Sequence, residues 1–355
     1  MVDVHGDDDG DEQFDLFGAP ESPPAGACDA SNAAKPRGVL PAPLQPEAEA
    51  LARRLPAIVH LGTSTWSFPG WRGIVYGDEY PNAKLARDGL TGYAAHPLLR
   101  SVSIDRSFYG PLSIADYARY ASQTPAHFRF IVKAPASVTD AFIRGQRGAP
   151  DAANPAFLNA QIAIDEFVMP CIGGLGAKAV ALVFQFPPLP DAMIVEPLRF
   201  IERLSTFLGA LPPLEGEARY AVELRDAVML TPRFVRALRE ANARYCIGVH
   251  ARMPDVRRQA KALALLDEET MGPLVVRWSL RSGSRYEQAK AKYEPFDRIV
   301  DEDRDTREAL AELAARYAIA GQPVVMAVNN KAEGSAPLTC FALARRIAEL
   351  CERAR

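Results

Sequence analysis

Histidine and cysteine are scarce in this chain, five of each. Cys28, Cys171, Cys246, Cys340 and Cys351 include no CxxC pair, which argues against a disulfide framework and a zinc knuckle. No apolar run is long enough to span a membrane. The opening MVDVHGDDDGDEQ lacks the basic region and apolar core of a signal peptide. A reducing, cytoplasmic setting without membrane association is expected. Of His5, His60, His96, His127 and His250, only His250 falls near other candidate site residues. Three or four metal ligands therefore cannot be gathered without Asp105 and Glu223, and no metal or cofactor is expected.

Charge is unevenly spread. Residues 1–55 hold eleven Asp or Glu against four Lys or Arg, while the remainder has 37 basic and 33 acidic residues. The first 55 residues read as a disordered acidic, proline-rich tail, and residues 56–355 as the folded body. The mildly basic body fits an anionic partner, although a tail that only keeps the protein soluble gives the same balance.

Eight short apolar, largely β-branched runs follow Pro56: IVHLGTS, SVSIDRS, FRFIVKA, AVALVFQ, YAVELR, YCIGVH, LVVRWS and PVVMAVNN. Such continuous runs suit parallel strands buried on both faces. Helical patterns lie between them. Ile114, Tyr117, Ala118 and Ala121 follow a Ser113/Asp116 capping box, Thr231 and Pro232 precede Phe234, Val235 and Leu238, and Leu310, Leu313, Ala314 and Tyr317 form a third stripe. Eight alternations in about 300 residues predict an α/β fold, a (β/α)8 TIM-type barrel. The fallback, a doubly wound sheet, lacks its glycine-rich phosphate fingerprint after the first strand.

Barrels of this kind build their sites at the C-terminal ends of the strands. Here those ends carry Thr63 and Ser64, Asp105, Lys133, Gln185, Glu223 with Arg225, His250, Arg277, and Asn329 with Asn330. The blocks GTSTWSFPGWRGIVY, SFYGP, TPAHFRFIVKAP, LVFQFPP, AVELR and VNNKAEGSAP, in this order, resemble the DUF72 (YecE-like) barrel family over about Ile58 to Cys351. The resemblance implies a TIM-type barrel but no established activity. It marks Trp66, Trp71, Tyr76, Tyr109, Lys133, Gln185, Pro187, Glu223, Arg225, Arg277, Asn329 and Asn330 as matching positions. The chain departs from the family pattern at Ser103 and Asp105, where Glu and Asn are usual. It also departs at Asp140 and Asp226, where His is usual, and at WSL, which replaces His-Gly after Arg277.

The matching set supports two readings. Glu223, held ionised by Arg225 or Arg277, is a candidate base, and a buried Lys133 is a candidate nucleophile. Alternatively these groups form an ion-pair network that closes the barrel mouth. Trp66, Phe68, Trp71 and Tyr109 stack a base or sugar, or else plug the barrel top as core. Gln185, Asn329 and Asn330 offer polar contacts, and the helix after KAEGSAP offers an N-terminus to a phosphate. The expected substrate is an anionic small molecule or nucleic acid. Both a metal-independent acid/base hydrolase or lyase and a non-catalytic binding module linked to replication or repair remain open.

In the tail, Gln13, Phe14, Asp15, Leu16 and Phe17 read QFDLF. This is similar to the short peptide with which bacterial proteins dock on the replicative sliding clamp, glutamine fixing the backbone while leucine and the last aromatic fill an apolar pocket. The alternative has Phe14 and Phe17 resting on the barrel's own surface.

Overall fold

The eight expected runs all form strands of one barrel in the computed structural model, which describes residues 38–145, 149–269, 271–281 and 286–354. The barrel strands are β1 (Val59–Thr63), β2 (Ser101–Ile104), β3 (Arg129–Lys133), β6 (Ala179–Gln185), β7 (Arg219–Glu223), β8 (Arg244–Val249), β9 (Leu274–Trp278) and β10 (Val324–Val328). They close in the order β1, β10, β9, β8, β7, β6, β3, β2, every pair parallel. Parallel neighbours require crossovers, and helices supply them. The Ser113/Asp116 box caps Ile114–Ser122, and Thr231 caps Pro232–Glu240 by accepting the Phe234 amide. Leu310, Leu313, Ala314 and Tyr317 are buried on helix Arg304–Ile319.

Two apolar layers result. One lies between strands and helices; the other fills the barrel lumen with Ile131, Val183, Ala221, Cys246, Val275 and Val325 among others. The lumen is thus packed rather than open, as the small and branched residues of such barrels dictate. Cys171, Cys246, Cys340 and Cys351 are buried thiols without disulfides. Among the described residues no helix is long and apolar enough to cross a membrane.

The structure differs from the sequence reading in two places. The ordered body starts before Pro56: helix α1 (Pro46–Arg54) packs Ala48 and Leu51 into the core, with Val39 and Leu55 flanking it. Arg54 pairs with Glu352 through two 2.8 Å hydrogen bonds, Arg345 donates to Glu47 at 2.6 Å, and Arg100 donates to the Ala52 carbonyl at 2.7 Å. The helix was missed because its apolar stripe is only a few residues long inside a charged, proline-bordered stretch. A hairpin of β4 (Phe142–Arg144) and β5 (Pro150–Ala153) also interrupts the β/α alternation after β3. These strands bury none of their residues fully, so they leave no apolar period to read.

Gly62 on β1 shows how tightly the barrel closes. A Cβ there would lie 1.8 Å from the Ser101 carbonyl oxygen of β2, and both are strand backbone that cannot step aside. Gly62→Ala should therefore cost about 3 kcal/mol or more. Gly209→Ala, with open space around the added methyl, should change stability by less than about 1 kcal/mol. Urea unfolding of the two variants measures both, and equal effects would contradict this account of strand closure.

Candidate functional site

Side chains alternate along a strand with a period of two, so a residue two positions beyond a lumen-facing one also faces the lumen. Lys133 stands two past Ile131, Gln185 two past Val183, Glu223 two past Ala221, and Arg277 two past Val275. The pleat therefore delivers four polar or charged groups into one layer at the C-terminal end of the barrel. Arg277 is its centre. It donates to Glu223 at 2.7 Å, to Asp105 at 2.7 Å and to the Gln185 side-chain oxygen at 3.0 Å. Arg225 lies 2.9 Å from the other Glu223 oxygen, and Ser103 donates to Asp105 at 2.6 Å. Gly248 on β8 leaves the room that Glu223 fills: a Cβ there would approach the Glu223 side chain to 3.1 Å.

Burial alone would push the Glu223 carboxyl up, but Arg225 and Arg277 together hold it below its ordinary value. Arg277 is shifted the opposite way: Asp105 and Glu223 outweigh the burial that disfavours its charge. Lys133 is 1% exposed, with its Nζ 3.4 Å from the centre of the Phe108 ring. The layer combines three cations, Lys133, Arg225 and Arg277, with two carboxylates, Asp105 and Glu223. Three of its donor atoms, Gln185 Nε2, Arg225 Nη1 and Arg277 Nε, are buried without a hydrogen-bond partner.

Beside this layer, above the ends of β1, β2 and β10, a cavity of about 630 Å³ opens. The loop after β1 supplies Ser64, Trp66, Phe68 and Trp71; the turn after β2 supplies Asp105, Arg106 and Tyr109; Asn329, Asn330 and Lys331 follow β10. Lys290, Glu294 and Phe296 come from helix Tyr286–Tyr293 and the turn beyond it. Aromatic side chains brace the wall. Trp66 meets Tyr120 edge-on at 5.1 Å between ring centres, and Phe68 meets Phe296 edge-on at 5.0 Å. Trp66 donates to the Leu85 carbonyl at 3.2 Å, and Trp71 donates to Asn330 at 3.2 Å. Asn330 also accepts the Ala336 amide at 2.9 Å, which fixes the start of the last helix, while Asn329 donates to Ser64 at 2.9 Å.

The sequence candidates thus divide into two groups. Trp66, Trp71, Tyr109, Asn329 and Asn330 stand on the cavity wall; Lys133, Gln185, Glu223, Arg225 and Arg277 lie in the buried layer outside that lining. Only Asp105 belongs to both, lining the cavity while accepting from Arg277. Trp71 is fully buried and Trp66 nearly so, while Tyr109 is exposed. Arg106, Lys290, Glu294, Phe296 and Lys331 escaped the sequence reading. Lys331 was legible in principle, because it directly follows the Asn329/Asn330 strand end; Lys290 and Phe296 lie on a helix and turn whose position no strand pattern reveals. Residues 13–17 of the tail lie outside the described residues. Among the described residues no group of three His, Cys, Asp or Glu could hold a metal ion.

Two positions where the chain departs from the DUF72 pattern have ion pairs of their own. Asp226 accepts from Arg252 at 2.9 Å and from the Leu189 amide at 2.7 Å, tying together loops after three strands. Asp140 accepts from Arg144 at 2.7 Å.

A family model described as a protein of unknown function, DUF72, matches residues 60–354. A DUF72 family protein from Enterococcus faecalis V583 shares the fold at 14% identity, with a TM-score of 0.51 over 83% of this chain and 95% of that one. Another from Thermotoga maritima MSB8 does so at 18% identity and a TM-score of 0.50, covering 82% and 99%. No curated protein matches.

Arg277 is the group whose loss the buried layer tolerates least. Arg277→Ala leaves Asp105 and Glu223 short of a partner and should destabilise by about 3–5 kcal/mol in denaturant unfolding. The Glu223 carboxyl lies below its ordinary value of 4.5. Its pairing therefore stabilises the fold above that pH and is lost as pH falls through the lower folded value. Glu223→Gln should accordingly flatten the fall of unfolding free energy below about pH 4.5. An unchanged acid slope would contradict the pairing.

Proposed function

We propose, from the premise that the chain belongs to the DUF72 family of proteins of unknown function, that its barrel binds an anionic, phosphate-containing or nucleic-acid ligand at its C-terminal mouth. One observation carries this reading: a roughly 630 Å³ cavity whose aromatic wall, Trp66, Phe68, Tyr109 and Phe296, is interspersed with Arg106, Lys290 and Lys331. Aromatic faces accept flat rings, and the cations attract phosphate oxygens. The unpartnered donors Gln185 Nε2, Arg225 Nη1 and Arg277 Nε in the adjoining cation-rich layer support it further. Capture is favoured over acid/base catalysis by Glu223. That carboxylate is fully buried, held by two arginines and absent from the cavity wall, so it cannot reach a ligand's proton there.

Thermal unfolding of the full chain in inorganic phosphate and in a nucleoside monophosphate tests this. Both should raise Tm in a concentration-dependent way, the nucleotide more strongly. Arg106 is exposed and donates only a long 3.4 Å hydrogen bond to Tyr120. Arg106→Ala should therefore keep the fold while reducing the Tm increment at least by half. A wild-type Tm indifferent to both anions overturns the reading.

The tail completes the proposal: QFDLF at residues 13–17 recruits the barrel to the sliding clamp through the Leu16 and Phe17 anchors, a reading that rests on sequence alone. A labelled peptide spanning residues 11–18 should bind purified clamp at about micromolar Kd, because few anchors must offset the ordering of a short segment. Leu16→Ala with Phe17→Ala should weaken binding by at least about 2 kcal/mol in fluorescence anisotropy. Equal binding by the double-alanine peptide sinks recruitment.

A further inference from the structure

Two lysines line the cavity, and they differ. Lys290 is half-buried on helix Tyr286–Tyr293, whereas Lys331 is only 4% exposed. The main chain of Lys331 is fixed in the turn Asn330–Ala332: its amide donates to the Asn329 side chain at 3.0 Å, and its carbonyl accepts the Arg281 amide at 3.2 Å. Lys331 thus lines the cavity from a rigid base. Among the charged groups that act on its amine are Lys290 and Glu287 of helix Tyr286–Tyr293 and Glu294, which follows it. Burial, reinforced by Lys290, pushes the amine down to about 8, against the opposing pull of Glu287 and Glu294. At pH 7 about a tenth of such an amine carries its lone pair, compared with well under a thousandth of an ordinary lysine.

We propose that Lys331 is a nucleophile that forms a Schiff base with the carbonyl carbon of an anionic aldehyde or keto compound held in the cavity. The orientation of that compound rests on the anion-binding reading above: its carboxylate or phosphate faces Arg106 and Lys290, which share the wall with Lys331. The Nζ lone pair attacks the carbonyl carbon to give a carbinolamine. The carbon–oxygen bond then breaks, and the oxygen leaves as water carrying the two amine protons. Amine and carbonyl thus become imine and water with no oxidant or reductant, and a buried, partly neutral amine is the form this step needs. Lys133, the lysine that sequence reasoning selected for such chemistry, stands against the Phe108 ring in the buried layer and does not line the cavity.

The test uses the full chain with glyoxylate as an anionic aldehyde and propanal as an uncharged one. Sodium cyanoborohydride traps any imine as a secondary amine, and peptide mass spectrometry reads each lysine. Glyoxylate should modify Lys331 at least tenfold faster than the exposed Lys261, and inorganic phosphate should slow that reaction. If Lys331 reacts no faster than Lys261 with either aldehyde, the proposal is overturned, even where phosphate still raises Tm. If both aldehydes select Lys331 equally and phosphate slows neither, the nucleophile stands and the anion site falls.

Discussion

Arg277 is the residue on which the rest of the barrel mouth depends. A guanidinium inside a packed barrel is strongly disfavoured unless its charge is paired, and Asp105, Glu223 and Gln185 accept from its Nη1 and Nη2 from three other strands or their ends. That requirement fixes more than one contact. β7 must end in a carboxylate, β8 must present a glycine beside it, and β2 must run into an acid that Ser103 orients. Replacing the whole network by apolar groups could leave stability intact, since buried ion pairs gain little net energy. What the network supplies is position: it pins strands from opposite parts of the barrel and places a charged floor beside the cavity.

This floor explains why the cavity is displaced. With the lumen filled by Ile131, Val183 and Val275 and capped by the ion-paired layer, a ligand cannot sit on the barrel axis. Among the described residues, the space at the mouth is lined by the loops after β1, β2 and β10 and by helix Tyr286–Tyr293 with the turn beyond it. Asp105 joins the two regions, one face of its carboxyl held by Arg277 and the residue itself on the cavity wall. A ligand there feels the charge of the buried layer without touching most of it.

The barrel was legible because its strands announce themselves as continuous apolar runs, and the strand-end rule located the polar layer by counting. The same rule could not separate lumen from cavity. Glu223 and Asn329 both follow apolar runs, yet Glu223 continues the inward pleat within β7 while Asn329 follows the end of β10 in a turn toward Ser64. The difference lies in where hydrogen-bonded pairing stops, which a single sequence does not display. Helix α1 and the β4/β5 hairpin were invisible for a simpler reason: one is a short stripe among charges, and the other buries too little to leave a period.

The departures from the DUF72 pattern acquire a shared physical meaning. Asp105, Asp140 and Asp226 stand where the resemblance leads one to expect Asn, His and His, and each accepts from an arginine: Arg277, Arg144 and Arg252. Carboxylates so paired tie the loops of this mouth together by charge-assisted hydrogen bonds. Among the described residues lining the cavity there is no histidine, and Lys331 brings to its wall an amine that burial pushes down to about 8. Burial beside Lys290 is what lowers that amine, so chemistry that needs a partly neutral amine falls to Lys331.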